Sequence, residues 1–236
     1  QRSLGRKYIS WAISRSDKLI AVSKDSANKL QKLAPKNEIE IIVNAIDTKP
    51  FAFSPNRLAE RKGIVRLLFI GAMGKLKGEA DLADVIKMIA KKHSDFRVSF
   101  LGFGSENLEK YCKKIGIENF IEFIGAVSLN DRIEFFEKAD IFVLPTYAEA
   151  MPMSVIEAMA AGLPTVSTTV GGIPELIEET EEGFLVEPAN IEKLAEKLSV
   201  LIENQDLRIK MGKKAQEKVG KELDFDLKDG IATVVI

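Results

Sequence analysis

Cysteine and histidine occur once each in the sequence, as Cys112 and His93. An intramolecular disulfide is therefore excluded, and so is a zinc cluster built on those side chains. The cysteine is expected to pack within a helix as a small hydrophobe. The histidine follows Lys91 and Lys92 at the polar end of a helical stretch, where solvation is expected and catalysis is not. An excess of one charge is lacking too: 34 lysines and arginines face 35 aspartates and glutamates. No basic field marks a nucleic-acid surface, and none is expected as a partner. No apolar run is long enough to cross a bilayer, and no signal-peptide pattern is present, so a reducing, cytoplasmic setting is the expectation. Internal repeats and low-complexity tracts are also missing.

What the chain does have is apolar content, 46% of 236 residues, enough for a core in one large domain or one and a half. The densest functional signal lies between Ala139 and Gly162. Ile141 to Leu144 is a short apolar run of the kind that makes a buried strand, Pro145 ends it, and Pro152 sits where a first helical turn tolerates a missing N–H. The intervening loop carries Glu149 to the carboxyl end of the strand, while Glu157 falls in the following helix. Ligands of open α/β sheets bind at that edge, and the free N–H groups of a helix start favour phosphate.

Glu149 and Glu157, followed by Ala158-Met159-Ala160-Ala161-Gly162-Leu163-Pro164, resemble the paired-glutamate motif of retaining glycosyltransferases with the GT-B fold. The resemblance is closest to family four, the glycosyltransferase group 1. It implies that Glu149 faces the donor sugar as a catalytic group and that Glu157 binds the ribose of the nucleotide. The loop and helix-start residues Ala150, Met151, Met153, Ser154 and Val155 are implied contacts of the nucleotide sugar.

Upstream, Ser3 to Ser16 place apolar residues among basic ones at helical spacing. Such a helix packs its apolar stripe against a sheet, the expectation here, or lies on an anionic membrane. Leu19 to Val22 reads as a strand, Ser23 as the cap of a helix through Lys32, and Glu38 to Val43 as a second strand. Together with Asn44-Ala45-Ile46-Asp47 this stretch resembles the close of the acceptor domain and the hinge of the same family. Ala45 departs from the glycine usual at that turn. Residues 1–47 are thus expected to be a remnant of an N-terminal acceptor domain, 48–63 a linker, 64–219 the nucleotide-sugar domain, and 220–236 the start of a helix crossing back.

From Val65 onward, strands and amphipathic helices alternate. Strands are expected at Val65–Ile70, Arg97–Leu101, Ile121–Phe123, Ile141–Leu144, Thr165–Ser167 and Gly183–Val186. Helices are expected near Gly78–Lys92, Ser105–Ile115, Leu129–Lys138 and Met153–Ala161, then at Ile191–Glu203 and Gln205–Val219. This order predicts an α/β fold, a Rossmann-like parallel sheet with helices on both faces, beside a small α/β remnant.

Gly71-Ala72-Met73-Gly74-Lys75-Leu76-Lys77-Gly78 follows the first strand of that sheet and opens its first helix, where glycines admit a ligand and lysines supply charge for a pyrophosphate. The loop resembles the family's phosphate loop: Gly71 and Lys77-Gly78 match, with Lys77 the second catalytic candidate. Ala72 stands where the family has arginine, so one cation of the diphosphate site is missing unless Lys75 stands in. Gly102-Phe103-Gly104 resembles a structural turn of the family. Ile124, Gly125 and Ala126 fall in the segment that flanks the nucleotide base.

The resemblance implies transfer of a sugar from a UDP- or GDP-sugar to a hydroxyl of a glycan, lipid-linked or small-molecule acceptor, in glycan or glycolipid synthesis. The anomeric configuration is kept, and no cofactor or metal is needed. Peripheral membrane contact through the acceptor domain is part of the same expectation. With most of that domain missing, the chain by itself is expected to be inactive. Two other readings stand beside it: a non-catalytic nucleotide-sugar-binding module or subunit, and a sugar-nucleotide epimerase of the same fold.

Overall fold

A computed structural model describes residues 10–54, 57–228 and 231–234. The first strands are short. β1 (Leu19–Ala21) pairs in parallel with β2 (Ile39–Ile41), and α1 (Lys24–Leu33) lies between them in sequence. Ser23 caps α1 by accepting from the Ser26 N–H at 3.1 Å, satisfying one of the helix's free donors. Residues 10–13 are helical and Trp11 is half exposed. Residues 14 and 15 form a turn, so the helix ends before Ser16, and residues 3–9 of the expected helix lie outside the described residues.

The main sheet is built from β3 (Val65–Ile70), β4 (Phe96–Leu101), β5 (Ile121–Gly125), β6 (Ile141–Leu144), β7 (Thr165–Thr168) and β8 (Gly183–Val186). Among the described residues these form one parallel sheet in the order β5-β4-β3-β6-β7-β8. Chain order therefore reverses between β3 and β6. A crevice must open there at the carboxyl ends, because the connections leave those two strands in opposite directions.

Every residue of β6 and β7 is buried, which requires cover on both faces. Six helices supply it: α3 (Glu79–Ile89), α4 (Glu106–Ile115), α5 (Leu129–Lys138), α6 (Met153–Ala160), α8 (Ile191–Glu203) and α9 (Gln205–Glu222). The short α7 (Ile173–Leu176) packs on β7. Phe69, Phe96, Phe100, Phe136 and Phe142 fill the centre, with Phe69 and Phe100 rings 5.2 Å apart. Cys112 is buried as expected, and burial pushes its thiol up to about 11, which makes it inert.

Four features differ from the sequence reading. His93 is not solvated: its side chain is only 13% exposed, and Nε2 lies 3.4 Å from Glu203 Oε1 where the ends of α3 and α8 meet. Within the stretch read as a linker, the described apolar residues Phe51 and Leu58 are buried on the sheet domain. Phe51 is buried edge-on against Phe136 at 5.6 Å, and a short helix α2 (Arg57–Glu60) buries Leu58. Arg57 also donates to the carbonyls of Ala139 and Ala161. Ala45 needs no glycine, since its φ is not positive. After α9 the chain does not continue as a helix but runs as antiparallel strands β9 (Phe225–Lys228) and β10 (Ile231–Val234). The β-branched Ile231, Thr233 and Val234 favour strand over helix.

The end of α9 returns to the hinge. Ile46 donates to Leu223 at 3.0 Å and accepts from the Phe225 N–H at 3.1 Å, and Asp224 accepts from the Thr48 N–H at 3.1 Å. Two further contacts tie residues 10–47 to the sheet domain. Glu175 accepts from the Lys24 and Asp25 N–H groups at 3.1 and 3.3 Å, and Asn44 donates to the Met151 carbonyl at 2.9 Å. No helix among the described residues is long and apolar enough to cross a membrane.

Candidate functional site

Two loops meet at the switch point, one after β3 and one after β6. They are joined by backbone: Leu76 accepts from the Tyr147 N–H at 2.8 Å and from Thr146 Oγ1 at 2.9 Å. Gly78 turns with φ of 71°, and a Cβ there would overlap the Pro145 carbonyl oxygen, so only glycine lets the phosphate loop lie this close to the end of β6. Lys77, held just before it, forms an ion pair through Nζ with Glu149 Oε1. The two catalytic candidates, 72 residues apart, are thus in direct contact. Glu149 is mostly buried, at 11% side-chain exposure, and its carbonyl is packed against Gly171, where a Cβ would collide with it.

A cleft of about 220 Å³ at the ends of β3 and β4 is lined by Gly71, Ala72, Phe103, Ala126, Val127 and Arg132 among others. Gly71, Ala72 and Ala126, three of the residues expected to contact the nucleotide sugar, line it. Gly125 ends β5 and is bound through its carbonyl to the Gly102 N–H at 2.9 Å. Ala150 and Met153 are exposed and Ser154 is half-buried. As the first two residues of α6, Met153 and Ser154 have N–H groups with no intrahelical acceptor.

Three other residues expected to contact the nucleotide sugar are placed away from this cleft. Ile124 faces away from the cleft and lines a separate cavity of about 350 Å³ with Arg97, Glu122 and Phe135. Its neighbour Ala126 lies in the cleft because the chain leaves the strand at Gly125, where φ is 81°. Val155 is fully buried and its N–H is used by the Pro152 carbonyl at 3.1 Å, so it offers a ligand nothing. Met151 is buried in the seam between the 149–151 and 170–172 loops, with its carbonyl taken by Asn44.

Glu157 is placed differently from Glu149. It is 4% exposed on α6, and Oε1 accepts from Arg132 Nη2 of α5 at 2.6 Å. Burial pushes its carboxyl up to about 7, with the Arg132 charge pulling the other way. Glu157 Oε2 and Arg132 Nε are both buried without a partner among the described residues. Arg132 is the site residue that sequence reasoning missed. Its signal was electrostatic: a cation in the first turn of a helix opposes the helix dipole and calls for an acidic partner or a ligand. Phe103 is the other omission, 74% exposed at the lip of the cleft.

The sequence profile described as "Glycosyl transferases group 1" matches residues 35–218. An uncharacterized glycosyltransferase of Haemophilus influenzae is 34% identical over 91% of this chain, and the chain spans 59% of that relative's length. Sucrose-phosphate synthase from Thermosynechococcus elongatus superposes with a TM-score of 0.84 at 19% identity, covering 93% of this chain and 57% of that one. HepE of Anabaena in complex with UDP-glucose superposes at 0.81 with 21% identity, covering 93% and 63%. The likeness to these two structures is one of fold, a parallel sheet flanked by helices. From the profile match and the identity to its relatives, the chain belongs to the group 1 glycosyl transferases.

Proposed function

We propose that the cleft binds a nucleoside diphosphate sugar, a UDP- or GDP-sugar, and that this donor site serves transfer of the sugar to an acceptor hydroxyl with retention of configuration, in glycan or glycolipid synthesis on the cytoplasmic side. The observation that carries the reading is the Lys77–Glu149 pair where the loops after β3 and β6 meet, with the Lys77 stem packed over Gly71 of the cleft wall. A cation and a carboxylate held together there can separate onto a diphosphate and a sugar hydroxyl respectively. The Met153 and Ser154 amides add donors for phosphate oxygens. Lys77 and these amides then stabilise the charge left on the departing diphosphate, with no metal ion called on. The HepE structure with UDP-glucose supports the ligand class by shared fold.

A second reading, a nucleotide-sugar-binding module without turnover, is favoured by Ala72, which leaves the diphosphate site one cation short. Calorimetric titration with UDP, GDP and their sugars tests the first step. Nucleotide-sugar binding with micromolar to millimolar affinity is expected, and its absence for every nucleotide overturns the reading. Transfer by this chain with nothing added is expected to be poor. Anomer-resolved NMR of the product, with an acceptor-binding domain supplied, separates a retaining transferase from a module.

A further inference from the structure

We propose that the cavity of about 350 Å³ between β3, β4, β5 and the end of α5 binds a small hydroxylated phosphomonoester, at a site separate from the donor cleft. Two arginines face it from adjacent strands. Arg66 and Arg97 are the second residues of β3 and β4 and lie directly opposite each other in the parallel register. Like charges so placed repel, and an anion between them removes the cost. Among the described residues neither guanidinium has a carboxylate partner. Arg66 donates to the Ile64 carbonyl at 3.5 Å, and Arg97 to the Ser94 and Phe96 carbonyls at 3.3 and 2.6 Å. Lys138, the last residue of α5, brings a third cation to the rim.

The kind of ligand follows from these groups. A cavity of this volume suits a small molecule. Three cations stand against one carboxylate, Glu122, among the described lining residues, so a dianion is matched better than a monoanion. Planar forks of donors on two sides suit the oxygens of a phosphate. Glu122 only accepts, so beside a bound anion it calls for a donor on the same molecule, and a hydroxyl supplies one. Ser99, its register neighbour on β4, can donate or accept there. Ile124 and Phe135 give the carbon skeleton an apolar wall. Arg66 and Arg97 stand at the starts of their strands, whereas Gly71, Ala72 and Phe103 form the donor cleft beyond the ends of the same two strands. Nucleotide and phosphomonoester therefore have no lining residue in common.

The experiment is titration of the full chain with glycerol 3-phosphate, inorganic phosphate, acetate and glycerol, followed by the amide NMR signals of Ser99 and Glu122 and repeated in excess UDP. Glycerol 3-phosphate is expected to shift these signals saturably, with an affinity of about millimolar, ahead of inorganic phosphate and well ahead of acetate, while glycerol alone leaves them in place. Arg66→Gln and Arg97→Gln should each weaken glycerol 3-phosphate about tenfold, and Arg66→Lys should restore part of the loss. Glu122→Gln should act in opposite directions, tightening inorganic phosphate by removing a repelling charge and narrowing the advantage of glycerol 3-phosphate over it. A general loss of fold cannot produce that inversion, and the melting temperature of each variant checks that the fold persists. Shifts that stay linear in concentration overturn the site. Acetate binding as well as phosphate shows a diffuse basic surface and overturns the phosphate assignment. Shifts abolished by UDP and untouched by either arginine substitution place the anion in the donor cleft, which overturns this inference and leaves the proposed function standing.

Discussion

Gly78 and Pro145 touch so closely that a single methyl group between them would overlap the proline carbonyl oxygen. This contact carries the phosphate loop against the end of β6 and so sets Lys77 beside Glu149. Gly78→Ala should cost about 2 to 4 kcal/mol, combining the left-handed φ with overpacking, and should weaken diphosphate binding in what folds. Gly74→Ala, four residues earlier with open space around it, should be near neutral. Urea unfolding of the two variants checks the contrast, and equal destabilisation would show that the loop yields at Gly78.

The Lys77–Glu149 pair makes opposite predictions for its two members. Lys77→Met should weaken UDP binding tenfold or more, because it removes a cation from the diphosphate. Glu149→Gln frees Lys77 from its counter-charge and should leave UDP affinity unchanged or tighter, while lowering turnover of the donor sugar. Calorimetry with UDP distinguishes the two, and matching losses in both variants would mean that the pair serves the fold and not the ligand.

The sheet was legible in the sequence because β3, β6 and β8 are short apolar runs closed by proline, glycine or a polar cluster. The Glu149 loop and Lys77-Gly78 stood out for their chemistry in that setting. Arg132 was not legible, since its partner is 25 residues away and only the fold brings α5 against α6. The placement of Ile124 and Val155 was not legible for a related reason. Which way a side chain faces at a strand end depends on the φ of Gly125, and whether an N–H at a helix start is free depends on where Pro152 turns. Neither is written in residue type. Within the stretch read as a linker, the apolar character of Phe51 and Leu58 was visible, but the sites that bury them lie far along the chain.

Glu157 predicts a pH dependence of stability. Its carboxyl is raised from the ordinary value of 4.5 to about 7, so between those values the folded state holds the proton more tightly than the unfolded one. The sign follows: this group's contribution is full below pH 4.5 and is lost as pH rises through 7. The loss is on the order of 3 kcal/mol for a shift of this size. Glu157→Gln has no proton to lose, so the wild type should fall relative to it across that window. Unfolding free energies at pH 4.5, 6 and 7.5 test this, and parallel profiles for the two proteins would show that Glu157 is ionised throughout.

Ala72→Arg tests the phosphate loop directly. Ala72 is exposed on the cleft wall next to Gly71. Arg132 lines the same cleft and is already engaged by Glu157. Among the described residues no carboxylate lines the cleft to receive a second guanidinium at position 72, so in the empty protein it should add no stability. With a diphosphate present, its planar fork of donors suits phosphate oxygens and should tighten binding by about 1.5 to 3 kcal/mol, while a nucleoside alone gains little. The difference between UDP and uridine affinities is therefore the quantity to measure, because any change at the base or ribose cancels in it. Raising the salt concentration should erode the gain, as expected of a partly exposed charge. If the difference stays at its wild-type value, the diphosphate does not lie along Gly71 and Ala72, and Lys77 must meet it from the Glu149 side of the loop alone.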